Sequence, residues 1–136
     1  MKINESAENY LETILILHKR NGNVRSIDIA RELSFSKPSV SVAMKALRES
    51  KHINIDENGN ILLTASGLEI AENILTRHQI IANALMALGV DEETAFEDSC
   101  KIEHHISDKS FSKIKAHFEN HKPKASRSGD IDVVLL

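Results

Sequence analysis

Between residues 26 and 63, two short amphipathic stretches stand three residues apart and are followed at once by a hairpin signal. Few folds accept that order. Ser26 caps a short helix on which Ile27, Ala30 and Leu33 face one way. Ser34-Phe35-Ser36 breaks it, and Ser36 caps the next helix. Pro38 falls in that helix's first turn, where a missing N–H costs nothing. The helix runs to about Ser50, with Val40, Ala43, Met44 and Leu47 as its buried stripe. A short helix, a tight turn and a second helix make a helix-turn-helix. Directly after it, His52-Ile53-Asn54-Ile55 and Asn60-Ile61-Leu62-Leu63 flank Glu57-Asn58-Gly59, and Asn-Gly is a strong hairpin former. A β-hairpin in that place is the wing of a winged helix.

The rest of the chain reads as helix. Residues 5–20 carry Ala7, Tyr10, Leu11, Ile14, Leu15 and Leu17 near the 3.6-residue period, and Asn21-Gly22-Asn23 ends them. Thr64 or Ser66 caps a long helix to about Leu88, striped by Ala71, Ile74, Leu75, His78, Ile81, Ala82, Leu85 and Leu88. Asp91 opens a fifth helix through about His105, and Ser107 a sixth through about Asn120, with Phe111, Ile114 and Phe118 as a ridge. Two prolines and five glycines in 136 residues suit such a chain. The expected fold is mainly α: an N-terminal winged helix-turn-helix over 1–64, a helical region over 65–122, and an unassigned tail over 123–136.

No run of about 18 apolar residues spans a bilayer, and MKINESAENY lacks the apolar segment of a secretory signal. The lone Cys100 leaves no intrachain disulfide. A cytoplasmic location follows. Net charge is −3, yet residues 18–51 hold eight basic residues against three acids, +5, while 65–136 hold eight against twelve, −4. A basic segment in an acidic chain is the footprint of a phosphate-binding surface, or of an ordinary solvated helix face. On the third helix, Ser36, Lys37, Pro38, Ser39 and Val42 lie away from the buried stripe. Val42 suits thymine methyl groups, the serines and the helix N-terminus suit phosphates, and Arg25, Lys37 and Lys45 add salt-dependent attraction.

Cys100, Glu103 and His104 recur at i, i+3 and i+4, so they project from one side of the fifth helix. Thiolate, carboxylate and imidazole are the main ligand types for a first-row divalent metal. Equally, Cys100 could be a small buried hydrophobe and Glu103-His104 a surface pair. His78 lies on the apolar stripe of the fourth helix, so its ring nitrogens need partners inside. Glu12 poses the same problem on the first helix, beside Asn9. One metal shared by three converging helices answers all of these. His18, His52, His117 and His121 sit on polar stretches and read as solvated, and His105 lies about 100° around the helix from His104.

The segments SAENYLETI at 6–14, DIARELSFSKPSVS at 28–41, TRHQ at 76–79 and CKIEHHISD at 100–108 resemble the diphtheria-toxin-repressor family over about residues 5–120. That resemblance implies an iron- or manganese-dependent repressor that binds palindromic operator DNA as a homodimer. It implies His78, Glu103 and His104 as metal ligands common to both branches, Glu12 as a ligand of the manganese branch, and Cys100 as one of the iron branch. Asn9 departs from both, which carry Asp or Met there. Ala82 and Phe96 stand where the iron branch builds an ancillary site, so that site is not carried over. The expected cofactor is Fe²⁺ or Mn²⁺, with Zn²⁺, Co²⁺ or Ni²⁺ binding in vitro. The sixth-helix residues Phe111, Ile114 and Phe118 are the candidate dimer contacts.

The rival within the same fold is a metal-independent winged-helix regulator answering an organic ligand, which gives no reason for inward Glu12, His78 and Glu103. A thiol enzyme at Cys100 or a metal hydrolase lacks any oxyanion element or H-E-x-x-H spacing. No enzymatic activity, membrane partner or small organic substrate is expected.

Overall fold

The computed structural model describes residues 4–120. Its elements run α1 (Glu5–Asn21), α2 (Ser26–Leu33), α3 (Lys37–Glu49), β1 (Ile53–Ile55), β2 (Ile61–Leu63), α4 (Ala65–Ala87), α5 (Glu92–Ile102) and α6 (Asp108–Asn120). The expected mainly helical winged fold is found, while the tail from His121 onward lies outside the described residues. The chain divides into two compact units, Met1–Asn73 and Ile74–Leu136, with the boundary inside α4.

In the first unit, Asn4 Oδ1 accepts the Ala7 N–H at 2.7 Å and starts α1, and Gly22 at φ 86° ends it. Leu11, Ile14, Leu15 and Leu17 are buried, as their spacing predicts. They share the unit's core with Val24, Ile29, Val40, Met44 and Leu47, all under 5% exposed. Truncating one such Leu or Met to Ala costs about 2–5 kcal/mol. Two details of α2 differ from expectation. Ser26 is its first residue rather than its cap, and the Asp28 carboxylate accepts the Arg25 N–H at 2.9 Å. Ile29 and Ala30 form the buried face, leaving Ile27 37% exposed. Ser34, left-handed at φ 58°, closes α2 and turns the chain into α3, where Ser36 Oγ accepts the Ser39 N–H. Edge-on contact with Tyr10 at 6.0 Å holds the half-exposed Phe35 of that turn.

β1 and β2 pair antiparallel in the register Ile53↔Leu63, Asn54↔Leu62 and Ile55↔Ile61. Asp56 organises the turn between them, accepting the N–H groups of Asn58 and Asn60 at 2.8 and 2.9 Å. Those backbone donors, Asn60 foremost, hold the Asp56 carboxyl below the usual carboxylate value. The wing is also tied next to its turn, where the Ile61 N–H donates to Val24 O at 2.7 Å. Thr64 caps α4 through the Gly67 N–H. A Cβ on Gly67 would fall 2.0 Å from His52 O, so only glycine lets α4 start this close to the wing. His52 is accordingly half-buried rather than solvated, with Nδ1 3.1 Å from Ser66 Oγ.

In the second unit, Ile74, Leu75, Ile81, Ala82 and Ala95 are buried, and so are His78 and Gln79. Leu88, expected on the buried stripe, is 73% exposed because α4 has ended at Ala87 and Gly89 reverses the chain at φ 102°. Asp91 caps α5 through the Thr94 N–H at 3.0 Å, a bond that also lowers its pKa. Ser107 caps α6 through the Ser110 N–H. No described helix is long and apolar enough to cross a membrane.

Candidate metal centre

α5 stops at Ile102, sooner than the expected His105. Glu103 is its cap residue, still αR at φ −58° and still donating its N–H to Ser99 O at 3.0 Å. His105 and Ile106 donate back to Ile102 O at 2.9 and 3.0 Å. Glu103 and His104 therefore sit in a hydrogen-bonded turn, not on a helix face. Cys100 remains on the helix itself.

The turn delivers Glu103 to the interior. Its carboxylate is wholly buried and lies between two imidazoles, with Oε2 3.4 Å from His78 Nδ1 and Oε1 3.4 Å from His104 Nε2. Both rings are buried as well, their side chains 6% and 5% exposed. Cys100 Sγ stands 3.5 Å from His78 Nδ1 and 3.6 Å from its Nε2, from a residue that is exposed overall. Phe96 closes one side of His78, with ring centroids 6.0 Å apart. The structure thus gathers four of the expected ligands, His78, Cys100, Glu103 and His104, within the second unit.

This donor set fits a divalent cation. Ligand bonds of about 2.1 Å put neighbouring N and O donors about 3.0–3.4 Å apart around one ion, and the two carboxylate–imidazole separations match that edge. A carboxylate removed from water is otherwise penalised heavily. Two imidazoles, a carboxylate and a thiol suit Mn²⁺, Fe²⁺, Co²⁺ or Zn²⁺ rather than Ca²⁺ or Mg²⁺.

Of the other expected ligands, Glu12 lies in the first unit on α1, 5% exposed. Asn9 is half-buried one turn earlier, and its backbone carbonyl accepts the Thr13 hydroxyl at 2.8 Å. His105, His18 and His117 are exposed. His121 lies outside the described residues.

The expected DNA-facing residues Arg25, Ser36, Lys37, Pro38, Ser39, Val42 and Lys45 are all exposed on the first unit, Val42 at 71%. Ser36 is engaged in its own helix, accepting from Ser39 N–H and donating to Ser39 Oγ at 2.8 Å. Phe111, Ile114 and Phe118 are half-buried on α6. Sequence reading missed Arg77. It is neither apolar nor a ligand type, yet its guanidinium lies 4.9 Å over the Phe111 ring and bonds Ile106 O and Asp108.

Two family models match the chain: the iron dependent repressor N-terminal DNA binding domain over residues 2–56, and the iron dependent repressor metal binding and dimerisation domain over 64–128. An uncharacterised HTH-type transcriptional regulator of Methanocaldococcus jannaschii is 34% identical over 124 residues, 90% of this chain and 99% of that protein. The transcriptional regulator MntR of Escherichia coli O157:H7 is 32% identical over 120 residues, 88% of this chain and 77% of its own. Among solved structures, that of the manganese regulator SloR is 28% identical with a TM-score of 0.73, covering 88% of this chain. This chain spans 55% of that structure's length.

Proposed function

The chain belongs to the iron-dependent repressor family of metal-dependent transcriptional regulators, which are not enzymes, and from that premise we propose that it represses transcription as a homodimer bound to palindromic operator DNA when loaded with Fe²⁺ or Mn²⁺. The observation that carries this is the Glu103 carboxylate set between His78 and His104 at 3.4 Å on each side. His78, Glu103 and His104 hold the ion, with Cys100 as the soft donor. Glu12 supplies a further carboxylate from the DNA-binding unit, with Asn9 as an accessory oxygen. When bound, the cation supplies positive charge that balances the buried carboxylates and favours the thiolate of Cys100.

The donors do the regulatory work through where they are attached. Glu12 and Asn9 belong to the unit that carries α3 and the wing, while the other four belong to the unit that carries α6. Ligation by both couples metal occupancy to the placement of α3 in the major groove. Two such helices in a dimer must fall about 34 Å apart to read one face of DNA. A coupling of about 1–3 kcal/mol is enough to switch binding about 5- to 150-fold.

Val42 meets base edges from α3, with Pro38 on the same exposed face; Ser36, Ser39 and the helix N-terminus meet phosphates, and Arg25, Lys37 and Lys45 add salt-dependent attraction. Phe111, Ile114 and Phe118 contribute to the dimer contact. A cytoplasmic location fits a DNA partner and a chain whose one cysteine leaves no intrachain disulfide. The test is enrichment of double-stranded DNA from a random-sequence pool by the full chain, with and without Mn²⁺ or anaerobic Fe²⁺. Recovery of a palindrome only with metal is the expected result. Equal recovery without metal, under chelation, would remove metal control.

A further inference from the structure

We propose that Arg77 is a positioning residue for the metal centre, pinning the turn that carries Glu103 and His104 to the helix that carries His78. The inference rests on the metal-site reading above. Glu103–Ser107 connect α5 to α6, and the near end of this turn is fixed by bonds from Glu103, His105 and Ile106 back into α5. Nothing in those bonds fixes the far end against α4. Arg77 does so. Its Nη2 donates to Ile106 O at 2.8 Å and its Nη1 to Asp108 Oδ1 at 2.9 Å, while the guanidinium lies over Phe111.

This is not a surface charge that happens to find a partner. The Arg77 side chain is only 17% exposed, and its Nε is buried without a hydrogen-bond acceptor among the described residues. Asp108 is 98% exposed, so that ion pair is screened and weak. The part-buried Ile106 carbonyl and the Phe111 face are the stronger contacts. Arg77 immediately precedes His78 on α4. One helical turn therefore presents a ligand and grips the segment bearing two others, so the separation of His78 from Glu103 and His104 depends on the guanidinium. The planar fork reaches two acceptors at once, which an ammonium does not reproduce.

Co²⁺ titration of the full-length protein tests this, read by affinity and by the Co²⁺ ligand-field spectrum, with far-UV circular dichroism of the metal-free proteins as the folding control. R77A should bind Co²⁺ about 10-fold more weakly, at the lower end of what outer partners of metal ligands are worth, and should show a shifted spectrum. R77K keeps the stem and the charge on Asp108 and should fall between R77A and wild type. D108A leaves the Ile106 contact in place and should lose less than R77A. A folded R77A with wild-type affinity and spectrum would overturn the proposal. If R77A does not fold, R77K decides in the same way, since wild-type binding by it would show that the two-pronged contact is not needed. A wild-type protein that binds no Co²⁺, Mn²⁺ or Fe²⁺ would instead defeat the metal-site reading itself.

Discussion

His78 Nδ1 stands 3.4 Å from Glu103 Oε2, with 6% and 0% of the two side chains exposed. Buried charge of this kind is poor evidence of a stabilising design, since desolvation offsets the attraction. A ligand role makes a different demand, for affinity rather than apo stability. Glu103→Gln keeps the shape and removes the charge. The metal-free variant should melt at or above the wild-type temperature. It should lose the rise in Tm that wild type shows with Mn²⁺ or Fe²⁺, a rise worth about 2.7 kcal/mol at 100-fold excess over Kd. Calorimetry with and without metal decides it. A variant that melts well below wild type without metal, yet keeps the full metal-induced rise, would make Glu103 structural.

Cys100 is the softest donor of the set and the most accessible, its Sγ near both nitrogens of the His78 ring. Replacing it by a hard oxygen donor should shift preference along the hardness scale. Cys100→Glu is expected to weaken Zn²⁺ and Co²⁺ relative to Mn²⁺. Competition titrations measure that ratio directly. Co²⁺-loaded wild type should also show near-ultraviolet sulfur-to-cobalt absorption that Cys100→Ser lacks. If both proteins show the same spectrum, Cys100 does not ligate.

How much of this was readable beforehand can be followed residue by residue. The helix-turn-helix, the Asn58-Gly59 hairpin and the inward direction of His78 were legible because each is set by spacing within a few residues. The two ends of α4 were legible for the same reason, but the exposure of Leu88 was not. Periodicity assigns a face without saying how far along it neighbours extend. Glu103 and His104 are expected on a helix and lie in a turn; the i, i+3, i+4 relation to Cys100 reads as helix although the last helical residue is Ile102 and Glu103 only keeps αR geometry as its cap. Arg77 and His52 were illegible. Their roles depend on Ile106 O and on the α4 start near Gly67, contacts made by backbone atoms that every residue type shares.

Asp91 and Asp56 carry the acid dependence that the structure makes explicit. Each carboxylate accepts backbone N–H bonds, which lower its pKa below its value in the unfolded chain. The folded state is thereby favoured above the usual carboxylate pKa of about 3.9, and the advantage disappears as pH falls through the depressed value. Urea unfolding at pH 7 and pH 3 should show a smaller acid loss in Asp91→Asn than in wild type. An equal loss in both would mean that the α5 cap does not contribute.

Gly59 has φ 84°, and a Cβ there would meet Arg25 Nη2 at 3.2 Å. Arg25, whose backbone N–H bonds Asp28 at the α2 start, thus lays its guanidinium beside the wing turn. Gly59→Ala should carry a left-handed strain of roughly 1–2 kcal/mol and should displace Arg25. Metal affinity should be unchanged while DNA affinity falls. Arg25→Ala should lower the salt dependence of DNA binding by about 0.9 in the slope of log K against log salt, the release of one phosphate's counterion. An unchanged slope would place Arg25 off the DNA.

Val42 and Met44 sit two residues apart on α3 with opposite environments, 71% and 2% exposed. Met44→Ala removes core volume and should cost about 2–5 kcal/mol, dragging DNA binding down only as the fold fails. Val42→Ser removes an apolar group that already faces water, so the unfolding free energy should stay within about 0.5 kcal/mol of wild type. Any loss of DNA binding by Val42→Ser therefore reports contact rather than folding. The expected loss is selective: about 1–3 kcal/mol at an operator carrying thymine opposite the side chain, and less when that base pair is exchanged. Measuring the variant against both operators separates the cases. A uniform loss on both would assign Val42 to the backbone surface, and no loss on either would take α3 out of the base-reading position.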